Sequence, residues 1–317
     1  MGLLSFLFRL LGRFSNIPRR LLIKWMIRRG TKLPGGSALL LDGTVVKTRE
    51  ISGDLQREFE ATEYARRHTR LPIPRIYDLF TSKDNRTYMI SEYIHGDMLQ
   101  RRWHFLSPTQ KHSLMLQVQK MVAEMRSIQP PEPRQRIESF TGGPFLDFMI
   151  DGDEPVGPFE NERVFNNFRI SRYTSQGYAQ VPIVRERLAR IHREMPNDHD
   201  IVFTHGDISL RNLLVNVEGD GPGDDVRIVA LLDWEQAGWR PAYWEKAKML
   251  YVASPSSDWH AAIKSWMIEG YEQEMAREVE LQLTHGANIY SDSFCSIRHV
   301  IFLEDRVSGC QQNWSTH

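Results

Sequence analysis

Residues 203–215 read Phe-Thr-His-Gly-Asp-Ile-Ser-Leu-Arg-Asn-Leu-Leu-Val, and Leu-Leu-Asp-Trp-Glu follows at 231–235. These two runs constrain the fold more than anything else in the chain. Asp207 follows one apolar, strand-like run (Ile201 to Phe203), and Asn212 opens another (Leu213 to Val215). A third run, Val226 to Leu232, delivers Asp233. Two carboxylates and an amide oxygen thus stand at the ends of short strands, where a sheet can hold them close together. Such hard oxygen donors suit a magnesium–nucleotide complex, so the pattern predicts phosphoryl transfer. The plain alternative makes Asp207 and Asn212 turn residues, a role both types favour. His205 is expected to shape the loop by packing and backbone hydrogen bonding, not to act as acid or base.

His205-Gly206-Asp207…Asn212 and Asp233-Trp234-Glu235…Gly238 resemble the catalytic and metal-binding motifs of the aminoglycoside phosphotransferase family. That family has the protein-kinase-like fold and is related to choline kinases. The resemblance spans roughly residues 31 to 275 and is closest to eukaryotic, fungal-type members, which share the Gly-Trp…Tyr-Trp-Glu run seen at 238–245. It implies an α+β, bilobal fold: a basic helical extension over 1–30, a small β-rich N-lobe over 31–95 and a larger, mostly helical C-lobe over 96–317. It also implies ATP and Mg²⁺ as cofactors and a small-molecule hydroxyl as acceptor. Asp207 is then the base, with Asn212 and Asp233 as metal ligands. A protein kinase fits less well, because Ser209 stands where Ser/Thr kinases carry lysine and Asp-Trp-Glu replaces Asp-Phe-Gly. A kinase-fold binding protein without turnover also fits less well, because Lys47, Asp207, Asn212 and Asp233 are all present.

On the nucleotide side, residues 34–47 read as two short strands joined at Asp42-Gly43, with Lys47 closing the run Thr44-Val45-Val46. By resemblance Lys47 contacts the α- and β-phosphates and pairs with a helix glutamate. Gly36 and Ser37 offer a backbone N–H and a hydroxyl to phosphate, although no Gly-x-Gly-x-x-Gly loop is present. A helix is expected over 54–68, ending before Pro72 and Pro74. It offers Glu58, Glu60 and Glu63 to Lys47. Glu60, twelve residues before Pro72, matches the family's position, with Glu58 the second choice. Tyr88 to Ile94 reads as a strand entering the crossing between lobes, where the backbone at Glu92 and Ile94 meets adenine by analogy.

In the C-lobe, Ser107-Pro108-Thr109-Gln110 is a helix start with a capping box, and Leu114, Val118, Met121, Val122 and Met125 define its buried face. Val184, Leu188, Ile191 and Met195 mark a second helix. Irregular sequence over 130–180 is where family members build much of the acceptor pocket. Trp234, Trp239, Tyr243 and Trp244 read as packing anchors. The acidic tip at 216–225 lacks the ligand spacing of a calcium loop. The glutamates of 269–280 read as a solvated helix face, or as an attractant for a cationic acceptor.

With 317 residues, 41% hydrophobic and 25% charged, the chain has the composition of a soluble globular protein. Its net charge of zero does not suggest a nucleic-acid binder. Cys295 and Cys310 show no metal-ligand spacing, which fits a reducing, cytoplasmic setting. Charge is uneven at the start, where residues 1–30 carry seven Arg or Lys and no acid. That segment reads as a basic amphipathic helix broken at Pro18. It has three readings: docking on the body, weak peripheral membrane contact, or mitochondrial targeting. Its uncharged stretch is far shorter than the roughly 20 residues of a membrane span.

Overall fold

The computed structural model describes residues 16–33, 37–40, 43–50, 52–151, 154–175, 180–217, 225–266 and 270–285. Gly36, residues 218–224, both cysteines and residues 1–15 lie outside them.

The N-lobe opens with helix α1 (Asn16–Arg29), which begins two residues before Pro18. Proline is tolerated there because first-turn N–H groups have no intrahelical partner. Strands β1 (Thr31–Lys32), β2 (Ser37–Leu39) and β3 (Thr44–Arg49) precede helix α2 (Ser52–His68), followed by β4 (Ile76–Thr81) and β5 (Thr87–Glu92). The five strands form one antiparallel sheet in the order β1-β2-β3-β5-β4. Val46, Phe80, Tyr88 and Ile90 of this sheet bury against Ile23 and Met26 of α1, both fully buried. The second half of the basic segment is therefore docked on the lobe. The first half of that segment, residues 1–15, lies outside those described.

The chain then enters the C-lobe through β6 (Asp97–Met98) and the short helix α3 (Leu99–Arg102). Helix α4 (Pro108–Arg126) starts with the expected capping box: Gln110 N–H donates to Ser107 Oγ (3.2 Å) and Ser107 N–H to Gln110 Oε1 (2.9 Å). Its expected apolar face is buried from Leu114 to Met125. Next come β7 (Glu138–Ser139), α5 (Phe148–Asp151), α6 (Glu162–Thr174) and α7 (Pro182–Glu194), with Leu188 and Ile191 of α7 fully buried. The catalytic-motif strands are β8 (Ile201–Thr204), β9 (Leu213–Val217), β10 (Val226–Leu231) and β11 (Gly238–Pro241). They form two three-stranded sheets, β10-β9-β6 and β7-β11-β8. Helices α8 (Trp244–Val252), α9 (Asp258–Trp266) and α10 (Glu272–His285) complete the lobe.

One large apolar core fills the C-lobe and takes in Ala61 and Ala65 of α2, so the N-lobe helix is packed onto both lobes. Trp234, Trp239, Tyr243 and Trp244 all lie in this core, each no more than 4% exposed. No helix of the described residues is long and apolar enough to cross a membrane.

Candidate active site

The two sheets present their loops to a cleft of about 440 Å³ between the lobes, within the usual range for a small-molecule site. Asp207 lies three residues beyond β8, Asn212 immediately before β9 and Asp233 two residues beyond β10. A hydrogen bond from Leu232 N–H to the Asn212 carbonyl (2.8 Å) ties the last two loops together. Asn212 Nδ2 donates to both the Asp207 carbonyl and Asp207 Oδ2, each at 2.8 Å. With its amide nitrogen committed, Asn212 offers Oδ1 as the group for a cation.

His205 is fully buried and holds the loop from inside. Its Nδ1 accepts the Asp207 N–H (3.1 Å), so Nε2 carries the proton and donates to the Leu232 carbonyl (3.0 Å). Burial pushes its pKa down to about 4, so the ring is neutral at physiological pH. Glu245, in the first turn of α8, accepts the N–H of His205 (2.7 Å) and of Gly206 (3.2 Å). Gly206 adopts φ +80°, and a Cβ there would sit 3.0 Å from the Gln236 carbonyl oxygen. Only glycine takes that turn without strain or displacement.

Burial pushes the Asp207 carboxyl up to about 6, with Asp233 adding to the rise, while Lys248, Arg211 and the Asn212 hydrogen bond oppose it. Asp233 itself has φ +68°, a left-handed conformation that costs a non-glycine residue about 1 kcal/mol. Such strain persists where surrounding structure enforces it, commonly at functional sites.

Lys47 Nζ donates to Glu58 Oε2 (2.7 Å) and Asp233 Oδ1 (2.9 Å). Burial works against its charge, yet Glu58 and Asp233 outweigh that and hold its pKa above the ordinary lysine value. Glu60 is not the partner: it accepts from Gln56 Nε2 on the surface of α2. The reason is helical phase. Leu55, Glu58, Ala61, Thr62 and Ala65 are the buried residues of α2, and Glu60 lies about 200° round the helix from Glu58 at 100° per residue. Glu63 pairs with Arg66 (3.4 Å) and Arg67 (3.7 Å).

Ser37 lines the cleft and sits opposite Lys47 in the β2–β3 register. Glu92 ends β5, with its N–H donating to the Arg75 carbonyl (2.8 Å). Ser91, Val45, Ile76, Met89 and Leu231 line the cleft, but Glu92 and Ile94 are not part of its wall.

The sequence reading assigned no role to Glu235. Its carboxylate lies with those of Glu58 and Asp233, ligand atoms all within 4.8 Å of one another. Burial and the neighbouring Asp233 push Glu235 up to about 7. That donor set fits a hard divalent cation, and Asn212 lines the same cleft. A second missed group is Lys248, which is 1% exposed and donates to Asp147 Oδ1 (2.7 Å) and Gln236 Oε1 (2.8 Å). Trp244 Nε1 donates to the other oxygen of Asp147 (2.7 Å). Trp244 and Lys248 are one helical turn apart on α8, a spacing visible in the sequence. Nothing local in the sequence marked Asp147.

A small, sheet-based lobe over a helical one, with this cleft between them, defines a kinase-like phosphotransferase. The sequence profile of the phosphotransferase enzyme family matches residues 39–277, and the chain belongs to that family, as a small-molecule kinase. Three solved structures share the fold. One is a thermostable mutant of aminoglycoside phosphotransferase APH(4)-Ia in ternary complex with ADP and hygromycin B (16% identity, 92% of this chain and 94% of that chain, TM-score 0.54). The GDP complex of aminoglycoside 2'-phosphotransferase-IIIa is similar at 13% identity, 90% and 98% coverage and TM-score 0.56. So is a GDP and kanamycin complex, at 14% identity, 92% and 100% coverage and TM-score 0.56. No curated protein matches the sequence.

Proposed function

We propose that the protein transfers the γ-phosphoryl group of ATP to a hydroxyl of a small molecule, with Asp207 as base. The observation that carries this reading is the pair of 2.8 Å contacts that fix Asn212 against Asp207 in a cleft that also holds Lys47, Glu58 and Asp233. Complexes with ADP and GDP among the fold relatives support a nucleotide in that cleft. Val45, Ile76 and Met89 of the N-lobe and Leu231 of the C-lobe give the base an apolar slot. Lys47 binds α- and β-phosphate oxygens, and Glu58 fixes its position. Ser37 and Gly36 contribute to the phosphate lid, and the adenine edge meets strand β5 at Ser91, which lines the cleft where Glu92 and Ile94 do not.

Asn212 and Asp233 would hold magnesium, with Glu235 adjacent; the ion supplies neutralisation of charge on the phosphates. Asp207 accepts a hydrogen bond from the acceptor hydroxyl, orients its oxygen toward the γ-phosphorus and takes its proton late, when the new bond has acidified the alcohol. A carboxyl near pKa 6 is charged at physiological pH and can still hold that proton transiently. Positioning carries most of the rate, because phosphoryl transfer asks little covalent chemistry of the protein.

Asp207→Ala is expected to lower kcat by about 10³-fold, within the span of general-base contributions, while Mg-ATP affinity measured by calorimetry stays nearly constant. Wild-type turnover in that variant sinks the assignment. An extract of small metabolites incubated with γ-labelled ATP, searched for new phosphate esters, identifies the acceptor.

A further inference from the structure

The cations beside the cleft's carboxylates come from both lobes. Among the described residues, its carboxylates are Glu58, Asp207, Asp233 and Glu235. Glu58, Asp233 and Glu235 crowd together under Lys47, and the charges acting on Glu235 include Lys47 and Arg49 of the N-lobe. Asp207 has different company: the cations acting on it are Lys248 and Arg211, both of the C-lobe.

Arg211 is exposed and makes no hydrogen bond or ion pair among the described residues. The Gln100 N–H donates to the Leu210 carbonyl (2.9 Å), which sets α3 beside it. Among the described residues, the rest of that wall is apolar or neutral: Gln100, Phe148, Tyr251 and Val252, with Phe148 37% and Val252 39% exposed. The acidic helix α10 contributes no residue to this wall. Its Glu278 is paired with buried Arg169, Glu280 with Arg190, and Glu274 with Arg277 (3.4 Å).

We infer that the acceptor is a hydroxyl compound with an apolar, ring-sized body and an anionic group, the anion held by Arg211, and not a polycationic amino sugar. This rests on the phosphotransferase reading above and narrows its substrate class. An amino sugar would bring several ammonium groups to a wall whose exposed charge is the Arg211 guanidinium, with Asp207 as the one carboxylate among the described residues there to receive them. A carboxylate or phosphate on the acceptor instead neutralises Arg211, while Phe148 and Val252 lose water to the ring. The neighbouring cations also offset repulsion between an anionic acceptor and the carboxylate of Asp207.

Three compounds that differ in one substituent test this: para-hydroxymethylbenzoate, para-methylbenzyl alcohol and para-aminomethylbenzyl alcohol, with kanamycin as a fourth. Affinity for the protein loaded with Mg-AMP-PNP is measured by calorimetry, and kcat/KM is measured for each compound that forms product. The benzoate is expected to bind about tenfold more tightly than the neutral alcohol, the effect of roughly one charge-assisted contact, and the amine least tightly. Arg211→Glu should reverse the order, and Arg211→Met should erase it, with Mg-AMP-PNP affinity unchanged in both. Tightest binding of the amine or kanamycin to wild type overturns the proposal. So does an order that neither variant moves, or no binding of any of the four. In each of those cases, retained Mg-AMP-PNP binding and Asp207-dependent ATP turnover leave the phosphotransferase reading standing.

Discussion

Lys47 carries its charge in a place where water reaches little of it, and two carboxylates from different elements compensate. Glu58 Oε2, on a side chain only 7% exposed, is the inner partner at 2.7 Å; Asp233 Oδ1, 30% exposed, is the outer one at 2.9 Å. The outer carboxylate is suited to exchange partners when phosphates and a cation arrive, and the inner one to keep the lysine in place. Removing charge from the inner partner leaves a buried ammonium undercompensated, a costly state. Glu58→Gln is therefore expected to lower kcat/KM for ATP roughly 10- to 100-fold, mainly through KM, whereas Glu60→Gln leaves it within twofold. Steady-state kinetics on the two variants checks this, and equal loss in both would assign Lys47 the wrong partner. The helix face that carries Glu58 was legible in the sequence. Leu55, Ala61 and Ala65 already mark the buried face of α2, and Glu58 shares it. Distance to Pro72 carries no such phase information, because the loop after a helix can vary in length while the helix face cannot.

At the scale of elements, α1 turns an isolated basic segment into part of the N-lobe. Two side chains account for most of that: Ile23 and Met26, fully buried against the sheet, while Leu21 is 65% exposed. Ile23→Ala is expected to destabilise by about 2–4 kcal/mol, with Leu21→Ala within about 0.5 kcal/mol, measured by denaturant unfolding. A neutral Ile23→Ala would mean that α1 is not docked in solution. Helix α8 plays the corresponding part in the C-lobe, where Glu245 binds the backbone of the catalytic loop and Lys248 binds Asp147 and Gln236. The stretch from Trp234 to Trp244 was legible as an anchor because four large rings in eleven residues must bury. Its polar contacts were not, because Asp147 reaches Trp244 and Lys248 from 97 and 101 residues away.

For the whole molecule, the concentration of acids in one cleft sets a pH dependence. Glu235 is raised to about 7, above its ordinary value, so the folded state holds a proton that the unfolded chain has released. The folded state therefore loses stability relative to the unfolded chain as pH rises from about 4.5 to 7, and the loss is complete above 7. A divalent cation reverses the penalty by favouring the ionised carboxylates. Added Mg²⁺ is expected to raise Tm more at pH 8 than at pH 6 in a thermal-shift titration, and Asp233→Asn should shrink that difference. A gain independent of pH would remove the cation from this cluster.

The α+β kinase-like fold followed from the resemblance of the His-Gly-Asp…Asn and Asp-Trp-Glu motifs to a known family, and the sequence by itself determined the strand ends that carry Asp207, Asn212 and Asp233, the capped start of α4 and the buried faces of the helices. These last three are written in local periodicity and turn chemistry, which act over a few residues and need no knowledge of the rest of the chain. Tertiary structure decided the Lys47–Glu58 pair, the clustering of Glu235 with Asp233, the buried Lys248–Asp147 pair and the cationic wall beside Asp207. Those depend on which faces meet across 11, 101 or 186 residues of separation, and charge and burial at such contacts are set only when the lobes close on one another.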